Sequence, residues 1–355
     1  MILFIIPTFS GGGAERVSIN LLNQLHCQNY HVELVVFDKN GPLLSMVSKG
    51  VCIHNLATST LRRSIFPLTY KIYSLRPKVV FTTLSYVNLF LIFTRFFMPM
   101  KFSLWVREAN LPSISLPNNK HSYLMKLGYS WLYKHADMVL CTSLRMKNEF
   151  IHNFCVSSKK TYILPNPIDE QLIRRMSSNI MERQDNSVRF VAAGRLVYQK
   201  GFDRLLRWFG NLEDQNSSLY ILGEGPMEQE LIDLATKLGV SDRVSIIGFC
   251  DNPWTWYASA DVFLLSSRWE GMSNAALEAL ACGTPVIATA ESGGIAEVAK
   301  QAIAGAVIVT TTEILFQKAM SKVQEDSKNS VLRVSLLPEC YRLESVADQL
   351  KKWLN

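Results

Sequence analysis

Short apolar runs rich in β-branched residues alternate with amphipathic stretches along the first half of the chain. The strand-like runs are, in order, ILFII, HVELVVF, VCIHNL, KVVFTTL, KFSLWV, DMVLCTS and TYILPNPID. Apolar residues at helical spacing between them predict helices over 14–28, 68–75, 87–97 and 144–153. Strands separated by helices are typical of a parallel sheet with right-handed crossovers. The first half is therefore predicted to be one α/β domain.

The same alternation begins again after the polar segment SSNIMERQDNS. Its strand-like runs are VRFVAAG, SLYILGEG, RVSIIGF, DVFLLSS and TPVIAT, with helices predicted after Gly201 and over 227–238 and 274–281. The repeat predicts two Rossmann-like, doubly wound parallel-sheet domains that face each other across a cleft. We place the first domain at 1–168, a linker at 169–187, the second domain at 188–340 and a C-terminal helix at 341–355. The apolar positions of that helix need a partner surface, so we expect it to cross back to the first domain.

The composition is that of an ordinary globular protein, with 48% hydrophobic and 19% charged residues, but the charge is divided unevenly. Residues 1–168 hold 18 Lys and Arg against 6 Asp and Glu, a net charge of +12, whereas the remainder holds 19 against 24, a net charge of −5. A basic half favours an anionic partner: a phosphate-rich membrane surface, a lipid pyrophosphate or nucleic acid. The alternative interpretation is a solvated basic face.

The seven cysteines include no C-x-x-C pair, and no histidine cluster has metal-ligand spacing. We therefore predict neither a metal site nor a disulfide framework. This use of cysteine fits a protein in the reducing cytosol. The first apolar run is too short for a signal peptide, and charged residues and a proline interrupt the apolar stretch 86–102. The chain is predicted to be cytoplasmic and to reach a membrane only peripherally, at the inner face.

Two glycine-containing loops could hold phosphate. The first strand runs into Ser10-Gly11-Gly12-Gly13 at the start of a helix, where backbone N–H groups and the helix N-terminus favour an anion. It is not a clean dinucleotide motif, because Arg16 replaces the third glycine, and a tight turn explains it equally well. The second loop, GRLVYQKG over 194–201, presents Arg195 and Lys200 to a pyrophosphate, unless these are ordinary exposed cations.

The strongest pattern is RWEGMSNAALEALACGTP at 268–285, directly after the strand DVFLLSS. Gly271 and Ser273 open a helix whose N-terminus can hold phosphate, while Glu278 lies about one turn in. A carboxylate suits a vicinal diol such as ribose, because each oxygen accepts one O–H, and Glu270 can do the same for a second sugar. The alternative is that Glu278 is a solvated helix carboxylate and that Glu270 offsets the helix dipole.

Together these motifs resemble the retaining glycosyltransferases of family 4, which have the two-Rossmann GT-B architecture. The motifs that carry the resemblance are SGGGAER, NPID at 166–169, GRLVYQKG, GEGP at 223–226, CGTPVIAT and the E-x7-E spacing of Glu270 and Glu278. The resemblance spans the chain and is most specific over 193–297.

The resemblance implies a role for each matching residue. Arg195 and Lys200 would hold the donor diphosphate, Glu278 the ribose, and Glu270 the transferred sugar, and we expect Glu270, Arg195 and Lys200 to be catalytic. The predicted donor-binding residues are Gly12, Gly13, Gly194, Arg195, Lys200, Gly223, Glu270, Gly271, Met272, Ser273, Asn274 and Glu278.

The sequence departs from the family after the strand KFSLWV. Many members carry a histidine there, near the reacting sugar, whereas this chain has Arg107-Glu108-Ala109-Asn110. The acceptor-side candidates are Glu15, Arg16, Arg107, Glu108 and Asn110.

These residues predict transfer of a hexose from a nucleotide diphosphate sugar, UDP-sugar favoured, to a glycan or lipid-linked acceptor in cell-envelope polysaccharide or lipopolysaccharide assembly. We expect an anionic membrane surface as a partner and no nucleic acid. We also expect no cofactor and no metal, because the chain contains no D-x-D pair. The alternatives are a catalytically silent GT-B binding subunit and a Rossmann oxidoreductase, for which Asp38 is the one candidate ribose ligand.

Overall fold

The computed structural model describes residues 1–10, 12–117, 122–178, 187–324 and 331–354. They form two compact units, one of Met1–Pro167 with Leu343–Asn355 and one of Ile168–Arg342. Each unit is built on a parallel sheet with helices on both faces. The predicted pair of doubly wound α/β domains is confirmed.

Among the described residues, the first unit contains a seven-stranded sheet of order β3-β2-β1-β4-β5-β6-β7 in which neighbouring strands are parallel. Its strands are β1 (Ile2–Ile6), β2 (Val32–Val36), β3 (Cys52–Asn55), β4 (Val79–Thr82), β5 (Ser103–Glu108), β6 (Met138–Cys141) and β7 (Thr161–Ile163). Its helices before the second unit are α1 (Gly13–Cys27), α2 (Leu61–Leu75), α3 (Ser85–Arg95), α4 (Pro112–Ser115), α5 (Ser122–Leu132) and α6 (Leu144–His152).

In the second unit, the described residues form a six-stranded parallel sheet of order β10-β9-β8-β11-β12-β13. Its strands are β8 (Val188–Ala193), β9 (Ser217–Leu222), β10 (Val244–Gly248), β11 (Val262–Leu265), β12 (Val286–Thr289) and β13 (Val307–Thr310). Its helices are α7 (Glu170–Met176), α8 (Phe202–Gly210), α9 (Glu228–Lys237), α10 (Trp254–Ser259), α11 (Asn274–Ala281), α12 (Ile295–Gln301) and α13 (Glu313–Met320).

The C-terminal helix α14 (Leu343–Leu354) belongs to the first unit, as predicted. Its residues Val346 and Leu350 are buried in the same apolar cluster as α1 and one face of the first sheet. Trp353 packs against Trp105 and Tyr162 of that sheet. The apolar stripe seen in the sequence is therefore the surface that attaches this helix to the first unit.

Helix α2 is longer than the sequence predicted, because it begins at Leu61 and contains Pro67. The Thr60 hydroxyl caps it by accepting from the Arg63 N–H. A proline inside a helix removes one N–H and crowds the carbonyl four residues earlier, which is why the sequence pattern placed the start of this helix after Pro67. The sequence also missed α5, whose apolar residues are largely exposed. No helix among the described residues has the length and apolarity needed to cross a membrane.

The segment predicted as a linker, 169–187, begins with a helix of the second unit. The Asp169 carboxylate caps α7 by accepting from the Leu172 N–H at 2.9 Å, and Ile173 is buried in the core of that unit. Residues 179–186 lie outside the described residues. The second unit already begins at Ile168. The polar composition of the segment suggested a linker, and the capped helix was therefore not predicted.

Candidate functional site

Most of the predicted donor residues lie in three segments that follow neighbouring strands of the second sheet. Strand β8 runs into the loop 194–201, β9 ends before Gly223, and β11 ends four residues before Trp269. Because β9, β8 and β11 are adjacent and parallel, their carboxyl ends meet at one edge, where open α/β sheets bind ligands.

The Lys200 ammonium and the Glu270 carboxylate form an ion pair at this edge. Nζ of Lys200 lies 2.7 Å from Oε1 of Glu270, and the hydroxyl of Ser267 donates to the same oxygen at 2.6 Å. The two charged side chains are 21% and 8% exposed, so water screens the pair only partly. The pair rules out the interpretation of Lys200 as a free surface cation, whereas Arg195 is exposed.

A second set of contacts fastens the same two loops together. The guanidinium of Arg268 donates two hydrogen bonds to Asp203, each 2.7 Å, and lies 3.8 Å from the ring centroid of Tyr198. Burial acts to raise the pKa of Asp203, but the hydrogen bonds and charge of Arg268 lower it overall. The Gln199 amide donates to the Trp269 carbonyl at 3.0 Å. Neither residue was assigned a role from the sequence, although Arg268 begins the motif 268–285 and Asp203 follows the loop 194–201 by two residues.

Two glycines that the sequence analysis missed support the backbone of this loop. Gly293 has a φ of +70°, and a Cβ there would lie 2.0 Å from the carbonyl oxygen of Glu270. The N–H of Gly294 donates to the Gly271 carbonyl at 2.9 Å. The signal available in the sequence was the Gly-Gly pair shortly after the strand TPVIAT. The backbone at 270–271 therefore packs directly against the backbone at 293–294. A residue with a side chain at 293 would prevent this contact.

The predicted glycines of the loops are also packed closely. A Cβ on Gly223, where φ is +133°, would lie 2.0 Å from the Gly194 carbonyl oxygen, and one on Gly194 would meet the methylenes of Lys200 at 3.1 Å. These glycines thus let the ends of β8 and β9 approach each other and leave room for the Lys200 stem.

Helix α11 begins where the sequence predicted. The Ser273 hydroxyl accepts from the Ala276 N–H at 3.4 Å, and Met272 is buried beside it. Glu278 is only 7% exposed, and its Oε2 accepts from the indole N–H of Trp254 at 3.1 Å. Glu278 is therefore not a solvated helix carboxylate, and Trp254 is a partner that sequence reasoning did not find. Asn274 is the first residue of the helix.

In the first unit, the predicted glycine loop precedes α1. Gly12 is the extended N-cap residue, Gly13 begins the helix, and Gly11 lies outside the described residues. The Glu15 carboxylate folds back over Gly12, where an added Cβ would lie 2.1 Å from its Oε2. Burial raises the pKa of Glu15. The role of these residues and of Arg16 toward a donor or acceptor stays a prediction.

The acceptor-side interpretation of Arg107 and Glu108 needs correction, because both side chains are 1% exposed. The Glu108 carboxylate accepts from four donors, which are Ser85, Asn88, Tyr129 and Tyr133. Four donors use the acceptor capacity of a carboxylate, so Glu108 is a structural group of the first unit.

Arg107 donates to the Asn166 side-chain oxygen. Burial lowers its pKa to about 10. Of the residues that replace the family histidine, Asn110 is the exposed one.

Two family models match consecutive parts of the chain. The model of Glycosyltransferase Family 4 matches residues 11–172, and that of Glycosyl transferases group 1 matches residues 175–333. The chain belongs to glycosyltransferase family 4.

Relatives and solved structures agree with this membership. The glycosyltransferase is 29% identical over 335 residues to the Campylobacter jejuni N-acetylgalactosamine-N,N'-diacetylbacillosaminyl-diphospho-undecaprenol 4-alpha-N-acetylgalactosaminyltransferase, covering 91% of this chain and 90% of that protein. It is 33% identical over 196 residues to an uncharacterized glycosyltransferase of Methanocaldococcus jannaschii, covering 53% of this chain and only about half, 48%, of that relative. The structure of Anabaena Alr3699/HepE in complex with UDP matches 99% of both chains with a TM-score of 0.76 at 17% identity. This likeness confirms the predicted GT-B fold.

We expect Lys200→Ala to destabilise the glycosyltransferase, because the Glu270 side chain, which is 8% exposed, would lose its counter-charge. The free energy of unfolding should fall by about 2 kcal/mol. The double variant Lys200→Ala with Glu270→Gln should recover part of the loss. Urea unfolding followed by circular dichroism measures both, with Lys237→Ala at an exposed position as the matched control. Wild-type stability of Lys200→Ala would contradict the coupling.

Proposed function

We propose that this glycosyltransferase moves a hexose from a UDP-sugar, with retention of configuration, to a glycan or lipid-linked acceptor in cell-envelope polysaccharide assembly. The observation that carries the proposal is the Lys200–Glu270 ion pair at the carboxyl edge of the second sheet, followed four residues after Glu270 by the start of α11, which carries Glu278. Lys200 and the exposed Arg195 can neutralise a diphosphate, and the start of α11 can orient it. The buried Glu278 carboxylate can accept hydroxyl groups of a ribose.

The ion pair suggests how the donor is engaged. A diphosphate brings more negative charge than one carboxylate, so we expect it to compete for the Lys200 ammonium. Glu270 is then released to accept hydrogen bonds from hydroxyl groups of the transferred sugar. In the proposed step, the bond from the anomeric carbon to the leaving phosphate oxygen breaks, and a bond to the acceptor oxygen forms on the same face. The leaving phosphate takes the acceptor's proton, and the two cations stabilise the developing charge.

The comparisons support the donor and acceptor classes. HepE has been solved with UDP and with UDP-glucose, and the Campylobacter relative is named for transfer of N-acetylgalactosamine to a diphospho-undecaprenol-linked glycan. Other relatives are named for amylovoran and lipopolysaccharide core biosynthesis. Family membership does not favour the oxidoreductase alternative. The complete set of donor residues weighs against a silent binding subunit.

We expect UDP-sugars to raise the melting temperature more than GDP- or ADP-sugars do. Glu278→Gln should lower the affinity for the preferred donor by one to two orders of magnitude, because charge-assisted hydrogen bonds are worth roughly 1.5–3 kcal/mol. Glu230→Gln, at an exposed position of the same unit, is the matched control. Thermal shift and calorimetric titration provide the affinities. Equal affinities of Glu278→Gln and wild type would remove Glu278 from the site.

We also propose that transfer needs no metal ion and no other cofactor, because Arg195 and Lys200 can supply the positive charge that a metal would bring to the diphosphate. EDTA should therefore leave the initial rate of transfer unchanged within about twofold. The measurement is release of nucleoside diphosphate from the preferred donor, with and without EDTA. Loss of activity that added magnesium or manganese restores would contradict the proposal.

The surface of the first unit supports a membrane-bound acceptor. Apolar residues recur at helical spacing on the exposed face of α5, where Leu124, Leu127 and Trp131 are 70%, 46% and 76% exposed. On α2, Phe66 and Tyr70 are 84% and 71% exposed. Contiguous exposed apolar surface is rare on proteins that work free in water, whereas single exposed apolar residues are common.

Helices α3 and α5 enclose an open apolar groove of ≈ 620 Å³. Its walls include Tyr86, Phe90 and Phe93 from α3 and Leu124, Leu127 and Trp131 from α5. Exposed cations accompany it on α2, where Arg62 and Arg63 occupy the first turn. Aromatic residues beside cations suit an anionic bilayer, where each basic residue contributes about 1 kcal/mol. We therefore propose that this face rests on the membrane that carries the acceptor.

We expect the protein to co-sediment with anionic vesicles at low salt and less at high salt. Replacing Leu127 and Trp131 by Glu should reduce binding more than tenfold, and so should replacing Arg62, Arg63 and Lys71 by Glu. The matched control replaces Lys237 and Lys318, two exposed lysines of the second unit, by Glu. Vesicle binding by this control should change little. Absence of binding to any vesicle would contradict the membrane proposal while leaving the donor proposal intact.

A further inference from the structure

Three side chains with metal-ligand chemistry, Glu33, Cys52 and His54, meet on the first sheet at the edge strand β3 and its neighbour β2. The parallel register aligns Glu33 with Cys52 and Val35 with His54. Since alternate residues of a strand point to one face, Glu33, Cys52 and His54 share a face, and His31 precedes Glu33 by two residues. No metal site was predicted from the sequence, because these ligand types come together only across two strands, which local spacing does not reveal.

The Glu33 carboxylate lies between the two imidazoles. Its Oε2 is 2.7 Å from Nε2 of His54, and its Oε1 is 3.0 Å from Nε2 of His31. The Cys52 Sγ is 3.6 Å from the same His54 nitrogen. The ligand atoms of Glu33, Cys52 and His54 all lie within 4.8 Å of one another. Three different ligand types thus converge on a volume the size of one ion.

We propose that Glu33, Cys52 and His54 bind a zinc ion, with His31 as the fourth ligand. A tetrahedral zinc with usual bond lengths separates a nitrogen and a sulfur ligand by about 3.6 Å, as found here for His54 and Cys52. The same geometry separates a nitrogen and an oxygen ligand by about 3.3 Å. The distance between Glu33 Oε2 and His54 Nε2, now 2.7 Å, must therefore increase by about 0.6 Å. Rotation of the carboxylate provides that change.

The ligand set distinguishes zinc from other common ions. Sulfur and imidazole suit zinc, whereas magnesium and calcium prefer oxygen ligands alone. Hydrogen bonds to the two histidines account for the position of the Glu33 carboxylate without a metal ion. They do not account for the position of the Cys52 thiol beside His54. The Glu33 and His54 side chains are 14% and 18% exposed, whereas His31 is 69% exposed and Cys52 is exposed, so an ion would reach the cluster directly from the surface. Bound zinc would tie the short edge strand β3 to β2.

None of these residues belongs to the predicted donor set, so the site is independent of the proposed transfer reaction. EDTA is expected to remove this zinc without abolishing transfer. The expected consequence of zinc is a higher melting temperature, because an ion that binds only the folded protein stabilises it.

The test is titration of the full-length, metal-stripped protein with Zn²⁺ against a chromophoric chelator, and with Co²⁺ followed by absorption. We expect one zinc per chain and a thiolate-to-cobalt charge-transfer band. Cys52→Ser and His54→Gln should each weaken zinc at least tenfold, and Cys52→Ser should abolish the band. Cys155→Ser and His152→Gln, at exposed positions of the same unit, are the matched controls.

Unchanged zinc affinity in both Cys52→Ser and His54→Gln would overturn the proposal, as would a charge-transfer band that persists without Cys52. Unchanged affinity in His31→Gln would remove His31 from the ligand set. Far-ultraviolet circular dichroism of each variant shows that the fold is retained, so a weaker affinity reports on the ligands.

Discussion

The ion pair between Lys200 and Glu270 is the interaction on which the candidate donor site depends. It joins two loops that are 70 residues apart in sequence, and Ser267 holds the same carboxylate oxygen. A carboxylate with so little exposure needs such partners, because an uncompensated buried charge is costly. In the proposed function the same cation also neutralises the donor diphosphate, so one group would serve both stability and donor binding.

The surrounding contacts make that pair rigid. Two hydrogen bonds from Arg268 to Asp203 join the loop that carries Glu270 to the first turn of α8, and Gly293 lets a backbone segment pack against the Glu270 carbonyl. Positions near a reacting centre must be held closely, since small displacements cost large factors in rate. The site is therefore built from loops whose freedom has been removed by side-chain and backbone contacts.

The first unit divides its polar and apolar groups in a different way. Glu108 is enclosed by four donors in the interior, while Leu127 and Trp131 remain on the surface. The charged group is thus structural and the apolar groups are available for contact. The proposed membrane contact rests on these exposed apolar residues, and the Cys52 cluster is a separate candidate site at the sheet edge.

The sequence by itself determined the alternation of strands and helices, the bounds of α11, the presence of α14, and the placement of Lys200, Glu270 and Glu278 after strand ends. These features depend on local spacing, which the chain encodes directly. It could not determine that Glu108 is buried, that Asp169 caps a helix, or that Cys52 meets Glu33. Burial and cross-strand register arise only when distant segments pack, so tertiary structure decided which charged residues are structural and which are available to ligands.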